Sequence, residues 1–186
     1  MKRIVILASG SGTLAQAIFD AQLDADIVAV ISDQRDAAVL DRAHRARIET
    51  FTIPMLPDRT EWDRELETLI AALKPDLVVS AGFMRILSER ITSKFKIINS
   101  HPALLPLFPG ALAVRDALAA GATETGTTIH WVDAGVDTGK AIAQERVAIF
   151  PGDTEESLHE RIKIVERGLI VATIAELLPT LEKING

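Results

Sequence analysis

Cysteine is absent from the 186-residue sequence, which removes disulfides, thiolate nucleophiles and thiolate metal sites. Long apolar runs are missing too: IVILA and LVVSAGF fall far short of the ~20 residues that a membrane-spanning helix needs. The amino terminus passes from MKR straight into such a run without a small-residue cleavage site, so no signal peptide is read and a cytoplasmic location is expected. Positive charge is in deficit. Twenty Lys and Arg against 26 Asp and Glu leave a net charge of -6, the opposite of the basic surface that neutralises nucleic-acid phosphates. A small anionic ligand stays open, because a few backbone amides bind phosphate whatever the net charge. Internal repeats, low-complexity tracts and linkers are also lacking, so residues 1–186 are read as one domain.

What the sequence contains is alternation. RIVILAS (Arg3–Ser9), IVAVIS (Ile27–Ser32), ETFTI (Glu49–Ile53), DLVVSAGF (Asp76–Phe83) and KIINS (Lys96–Ser100) read as strands. Most are continuously apolar, as strands buried on both faces of a parallel sheet must be. Helical patterns lie between them. In EWDRELETLIAALK, Trp62, Leu66, Leu69, Ile70 and Leu73 recur at helical spacing and Pro75 follows as a stop. The expectation is an α/β fold: a doubly wound, mostly parallel sheet with helices on both faces. Beyond Gly110, a helix over ALAVRDALAAG, two further strands (TGTTIHWVD and AIAQERVAIF) and a long helical pattern after Gly152 follow, with Asp153 or Thr154 as its N-cap.

The segment ASGSGTLAQA joins the first strand to the first helix. Gly10 and Gly12 allow backbone conformations in which amides converge on an anion. With Ala15 the spacing also fits a relaxed dinucleotide fingerprint, with Asp33 as its ribose-binding acid. A phosphorylated substrate and a nicotinamide cofactor are both open at this point, as is a tight turn that needs glycine for packing.

The stretch NSHPALLPLFPG, Asn99–Gly110, carries two polar side chains on a proline-stiffened base. Positions 99 and 101 share one face of an extended segment, and Pro102 biases His101 toward that conformation. They lie at the end of a predicted parallel strand, where open α/β sheets place their ligands. A carboxamide beside an imidazole suits a carbonyl turning into an oxyanion. The alternative is an Asn that caps backbone and a His packed at the sheet edge. Downstream, HWVDAGVDTG holds His130, Asp133 and Asp137, its second part a turn-rich loop. A carboxylate brought near His101 would favour the charged imidazolium. Asp133 reads first as a turn former, and Asp137 equally as turn chemistry or as that carboxylate. His130, alternating with apolar neighbours, reads as structural, and His44 and His159 as surface residues. A metal site of His101, His130 and Asp137 has no recognisable ligand spacing behind it.

SGSGT, AGFMRILS (Ala81–Ser88), NSHPALLPLFPG and TGTTIHWVDAGVDTG (Thr125–Gly139) occur in that order. Together they resemble the phosphoribosylglycinamide formyltransferases, folate-dependent enzymes of purine synthesis, from Arg3 to about Leu178. The resemblance implies a Rossmann-like formyltransferase fold whose N-terminal half binds nucleotide phosphate and whose C-terminal half binds folate and carries the catalysis. It implies Asn99, His101 and Asp137 as the catalytic triad. The amides of Gly10, Ser11, Gly12, Thr13 and Leu14 would hold the phosphate of glycinamide ribonucleotide, with Glu166 as a further substrate ligand. Arg59, Met84, Arg85, Ile86, Leu87 and the loop of Asp133, Ala134, Gly135, Val136 and Asp137 would take 10-formyltetrahydrofolate, the formyl-donating cosubstrate, with Asn99. No metal is implied. Related formyltransferases fit less well: methionyl-tRNA formyltransferase has an added C-terminal domain, and formyltetrahydrofolate hydrolase has an added N-terminal domain and typically a second His where Pro102 stands. The partners expected are these two small molecules, without nucleic acid or membrane, and the chain is a monomer or homodimer. Bland readings remain: Glu166 as an exposed helix charge, and Met84, Ile86 and Leu87 as core.

The sequence departs from the family pattern in three places. Leu14 stands where many relatives have Asn, Leu112 replaces a common His, and the tail EKING is short. An NAD(P)-dependent oxidoreductase, and a family member with another amine acceptor or lost activity, are the alternatives carried forward.

Overall fold

The computed structural model describes residues 1–181. Seven strands form one sheet: β1 (Lys2–Leu7), β2 (Ala25–Ser32), β3 (Thr50–Thr52), β4 (Leu77–Ser80), β5 (Ile97–His101), β6 (Glu124–Trp131) and β7 (Ala141–Ala148). Their order is β3-β2-β1-β4-β5-β6-β7. The pairs from β3 to β5 are parallel, whereas β5–β6 and β6–β7 are antiparallel. The doubly wound, mostly parallel sheet expected from the sequence is therefore present.

Helices cover both faces. On one lie α1 (Thr13–Asp20), α2 (Ala38–Arg45), α5 (Ala113–Ala119) and α6 (Glu155–Leu177); on the other lie α3 (Arg59–Leu73) and the short α4 (Glu89–Thr92), which no sequence pattern announced. Strand β1 feeds both cores by alternation: Ile4 and Ile6 point to the first, Val5 and Leu7 to the second, all without solvent exposure. Helix α3 begins where the Asp58 carboxylate accepts the Thr60 and Glu61 amides. It buries Trp62, Leu66 and Ile70 and ends at Lys74 in the left-handed region, just before Pro75. Thr154, one of the two predicted caps, closes a reciprocal capping box with Ser157 at the start of α6. Asp153 instead grips Arg161 through both carboxylate oxygens, at 2.9 and 2.8 Å.

One boundary moves for an identifiable reason. Strand β4 stops at Ser80 rather than Phe83, because Gly82 takes φ +78° and turns the chain across the carboxyl ends of the strands. The tail EKING, residues 182–186, lies outside the described residues.

Candidate active site

The carboxyl ends of β1, β4 and β5 open onto a cavity of about 570 Å³, within the range usual for small-molecule sites. One end is the loop after β1. Gly12 sits at φ +73° as the N-cap of α1, and a Cβ there would lie 2.6 Å from Val39 side-chain atoms. The loop is held from outside: Val39 N–H donates to the Gly10 carbonyl (3.1 Å) and Arg42 Nε to the Ser11 carbonyl (2.7 Å). The amide-bearing helix start thus faces the cavity, along with Gly10, Ser11 and Thr13. Leu14 lines it too, but its side chain is buried in the first core. The residue that replaces the family's Asn is therefore a packing residue of α1.

The other end is built where the sheet changes from parallel to antiparallel. The β5–β6 register sets Asn99 opposite His130 and His101 opposite Thr128. Asn99 Nδ2 lies 3.3 Å from His130 Nε2. Asp137, at φ +53°, reaches in from the loop between β6 and β7. Its Oδ2 stands 3.3 Å from His101 Nδ1 and accepts the Gly110 amide at 2.8 Å; its Oδ1 stands 3.5 Å from His130 Nε2. Burial pushes the Asp137 carboxyl up, but His130, the Gly110 amide and the charge of His101 together outweigh it and hold it below the ordinary carboxylate value. His101 Nε2 donates to the Phe108 carbonyl at 2.8 Å, so each of its ring nitrogens faces an acceptor. Thr128 holds the segment that follows, donating to the Ala103 carbonyl (2.7 Å) and accepting the Leu105 amide (3.0 Å).

Two glycines shape the loop that carries Asp137. A Cβ on Gly139 would lie 1.6 Å from the Trp131 carbonyl oxygen, and one on Gly135 2.0 Å from Thr138 Oγ1. Asp133 is exposed and turns the loop, accepting from Gly135 N–H and the Thr138 hydroxyl. Those two bonds, the Thr138 one foremost, lower its pKa. Of the loop residues, Asp133, Gly135, Val136 and Asp137 line the cavity, and Ala134 does not.

The segment after Gly82 forms the third wall. Met84 and Ile86 are 72% and 56% exposed, and both line the cavity, whereas Leu87 is buried at 4% and joins the second core. Exposed apolar side chains around a cavity are the pattern of a wall that waits for an apolar ligand face. Arg59 stands behind this wall rather than in it. Its guanidinium bonds the Ile86 carbonyl and Asp63, and lies 4.8 Å from the Trp62 ring centroid.

Several readings change here. His130, expected to be a structural residue of its strand, belongs to the polar cluster. His159 is half-buried on α6 and lines the cavity with Lys163, rather than lying on an open helix surface; burial and then Lys163 lower its pKa. Glu166 is no exposed helix charge. It occupies a stripe of buried α6 residues that includes Leu158, Ile162 and Ile170, and Ser100 Oγ donates to it at 2.5 Å. Burial pushes its carboxyl above the ordinary range. The sequence signal for Glu166 was legible as an acid in an otherwise apolar stripe; Lys163, one turn earlier, shares its side of the helix.

The dinucleotide reading loses its acid. The Asp33 side chain has no exposure and accepts bonds from Ser9 (2.5 Å), Arg85 (2.7 Å) and Gln34 (2.9 Å), which leaves nothing for a ribose. Among the described residues, no group of three or more His, Asp or Glu is arranged to hold a metal ion, and no helix is long and apolar enough to cross a membrane.

A carboxamide, an imidazole and a carboxylate around one point, beside an amide-lined anion loop, define an acyl-transfer type of site on a doubly wound sheet. The chain belongs to the formyl transferase family, whose model matches residues 2–174, and is a transferase. It is 48% identical over 182 residues to a phosphoribosylglycinamide formyltransferase of Mycobacterium tuberculosis, covering 94% of this chain and 84% of that one. The Escherichia coli enzyme of the same name is 39% identical over 180 residues, covering 92% of this chain and 85% of its own. The crystal structure of glycinamide ribonucleotide transformylase 1 from Symbiobacterium toebii superposes with a TM-score of 0.94 at 39% identity, covering 100% of this chain and 92% of that one.

Proposed function

We propose that this protein transfers the formyl group of 10-formyltetrahydrofolate to the amine of glycinamide ribonucleotide, giving formylglycinamide ribonucleotide in purine biosynthesis. The observation that carries the reading is the convergence of Asn99, His101 and Asp137 at the rim of the sheet, with His101 Nδ1 3.3 Å from the Asp137 carboxylate. The names of the relatives supply the transferred formyl group and the glycinamide ribonucleotide acceptor, and the folate donor is what the family resemblance implies.

The residues divide the work. Amides from Gly10 to Leu14 receive the phosphate, with Lys163 adding positive charge and Glu166 a hydrogen-bonding group. Met84, Arg85, Ile86, Leu87 and the 133–137 loop bound the folate, the exposed apolar side chains of Met84 and Ile86 fitting a flat heterocycle, and Arg59 braces that wall from behind. As the amine attacks the formyl carbon, charge grows on the formyl oxygen. Asn99 donates an N–H to that oxygen, and cationic His101 stabilises it. Substrate takes the place of the Phe108 carbonyl at His101 Nε2. Asp137 orients His101 through its Nδ1, and the proton lost by the amine travels by way of this pair and water to the departing folate nitrogen.

The test mixes purified protein with both substrates and follows the absorbance of the folate product. Product formation that requires the ribonucleotide supports the reading. Release without it makes the protein a hydrolase, and binding of the ribonucleotide without release makes it a non-catalytic relative. Transfer to some other amine alone moves the acceptor assignment.

A further inference from the structure

Asp33 is a buried carboxylate beside the cavity walls that the proposed chemistry leaves without a task. It follows β2, two strands from the β4 end, yet its bonds reach both walls of the site. Oδ1 accepts the Ser9 hydroxyl at 2.5 Å, and Oδ2 accepts Arg85 Nε at 2.7 Å. The Ser9 oxygen in turn accepts the Met84 backbone N–H at 2.8 Å. A hydroxyl that gives its proton to Asp33 still has lone pairs with which to accept an amide, so Ser9 relays the position of Asp33 to Met84. Arg59 bonds the Ile86 carbonyl from the opposite direction. The backbone under the exposed Met84 and Ile86 side chains is therefore pinned at both ends, although the side chains themselves are 72% and 56% exposed.

We propose that Asp33 is a positioning residue for the formyl donor: through Ser9 and Arg85 it holds the 84–87 wall at the distance from the anion loop that lets both substrates bind at once. The inference rests on the reading of that wall as the folate-binding surface. The two walls depend on Asp33 unequally. The anion loop keeps its own ties, from Val39 N–H to Gly10 and from Arg42 to Ser11. The donor wall has backbone ties only as far as Gly82, whose carbonyl accepts the Ser9 N–H; beyond it, Met84 is held by the Ser9 hydroxyl and Arg85 by Asp33. Loss of the carboxylate leaves a part-buried guanidinium and a hydroxyl without their acceptor and loosens the donor side first.

Asp33→Ala and Asp33→Asn in the full-length protein test this by steady-state kinetics in both substrates, with folic acid affinity by calorimetry and thermal melting beside them. The expected result for Asp33→Ala is a donor KM raised about tenfold and folic acid affinity weakened by a like factor. Its acceptor KM stays within about twofold, since distant and separately tied sites respond independently. Asp33→Asn, which can still accept from Arg85 and donate to Ser9, restores most of the donor KM. Should Asp33→Ala fail to fold, Ser9→Ala carries the test, with a donor KM raised about threefold from the loss of one hydrogen bond. A folded Asp33→Ala with wild-type donor KM overturns the inference, as do equal rises in both KM values that track a fall in melting temperature. If the wild type transfers no formyl group, the functional reading falls, and folic acid affinity alone then decides: weakened binding in Asp33→Ala upholds the positioning role and unchanged binding overturns it.

Discussion

The parallel and antiparallel parts of the sheet are built from different chemistry. In β1 and β4 the buried residues are Ile, Val and Leu, with Ser80 the exception at the carboxyl end of β4, and their contribution to the site is a loop of backbone amides and a bent segment at their carboxyl ends. In β6 the buried residues include Thr125, Thr127, Thr128 and His130. A strand paired antiparallel beside the site brings polar side chains into register with Asn99 and His101 of β5. Strand β5 belongs to both parts, parallel to β4 and antiparallel to β6, and the polar cluster lies along it. Frame and glycine loop thus come from one side, and the polar side chains of the cavity from the other. Damage to the first should be felt in stability and substrate affinity, damage to the second in rate.

The largest effect expected is on the polar side. Asn99→Ala, His101→Ala and Asp137→Ala each lower turnover about 10²–10³-fold while the protein stays folded by circular dichroism; wild-type turnover in any one removes that residue from the mechanism. Gly139→Ala should mimic Asp137→Ala without touching a reacting group, because a methyl 1.6 Å from the Trp131 oxygen forces the loop that carries Asp137 to shift. Full activity in that variant would show that the loop's path is not what brings the carboxylate to His101. Next in size is the frame. Gly12→Ala combines a φ of +73° with a clash against Val39. Urea unfolding should report a loss of about 1–3 kcal/mol, part of it recovered by Val39→Ala in the same chain. A rate defect without a stability defect there would erase the distinction between the two sides.

The smallest effects lie in pH dependence. Burial raises the Glu166 pKa above its ordinary 4.5. Its contribution to stability is then fully present below the unfolded value and is lost as pH rises through the folded one. Glu166→Gln should gain melting temperature relative to wild type at pH 7, with the gain shrinking toward pH 4.5. Asp153 has the opposite sign. Arg161 foremost, then the Phe150 amide, hold its pKa far below the ordinary value. Its stabilisation is present above the unfolded pKa and lost as pH falls through the folded one, so Asp153→Asn should melt lower than wild type at pH 7 and differ less at pH 3. Melting curves across pH check both, and parallel shifts in the two variants would contradict the assigned causes.

Local physics determined what was legible in the sequence. Continuous apolar runs announced the parallel strands, since a strand covered on both faces is mostly apolar along its length. The glycines after β1 marked a loop that lines the cavity, and the spacing of Asn99 and His101 put them on one face. Such features depend on neighbours a few residues away. Tertiary structure alone decided that Asp137 meets His101 across 36 positions of chain, that His130 sits opposite Asn99, and that His159, Lys163 and Glu166 of α6 turn into the same cavity. It also decided that Asp33 serves Ser9 and Arg85 rather than a ribose. Strand order, pairing direction and the closure of distant loops set these contacts, and a one-dimensional pattern of polarity carries none of the three.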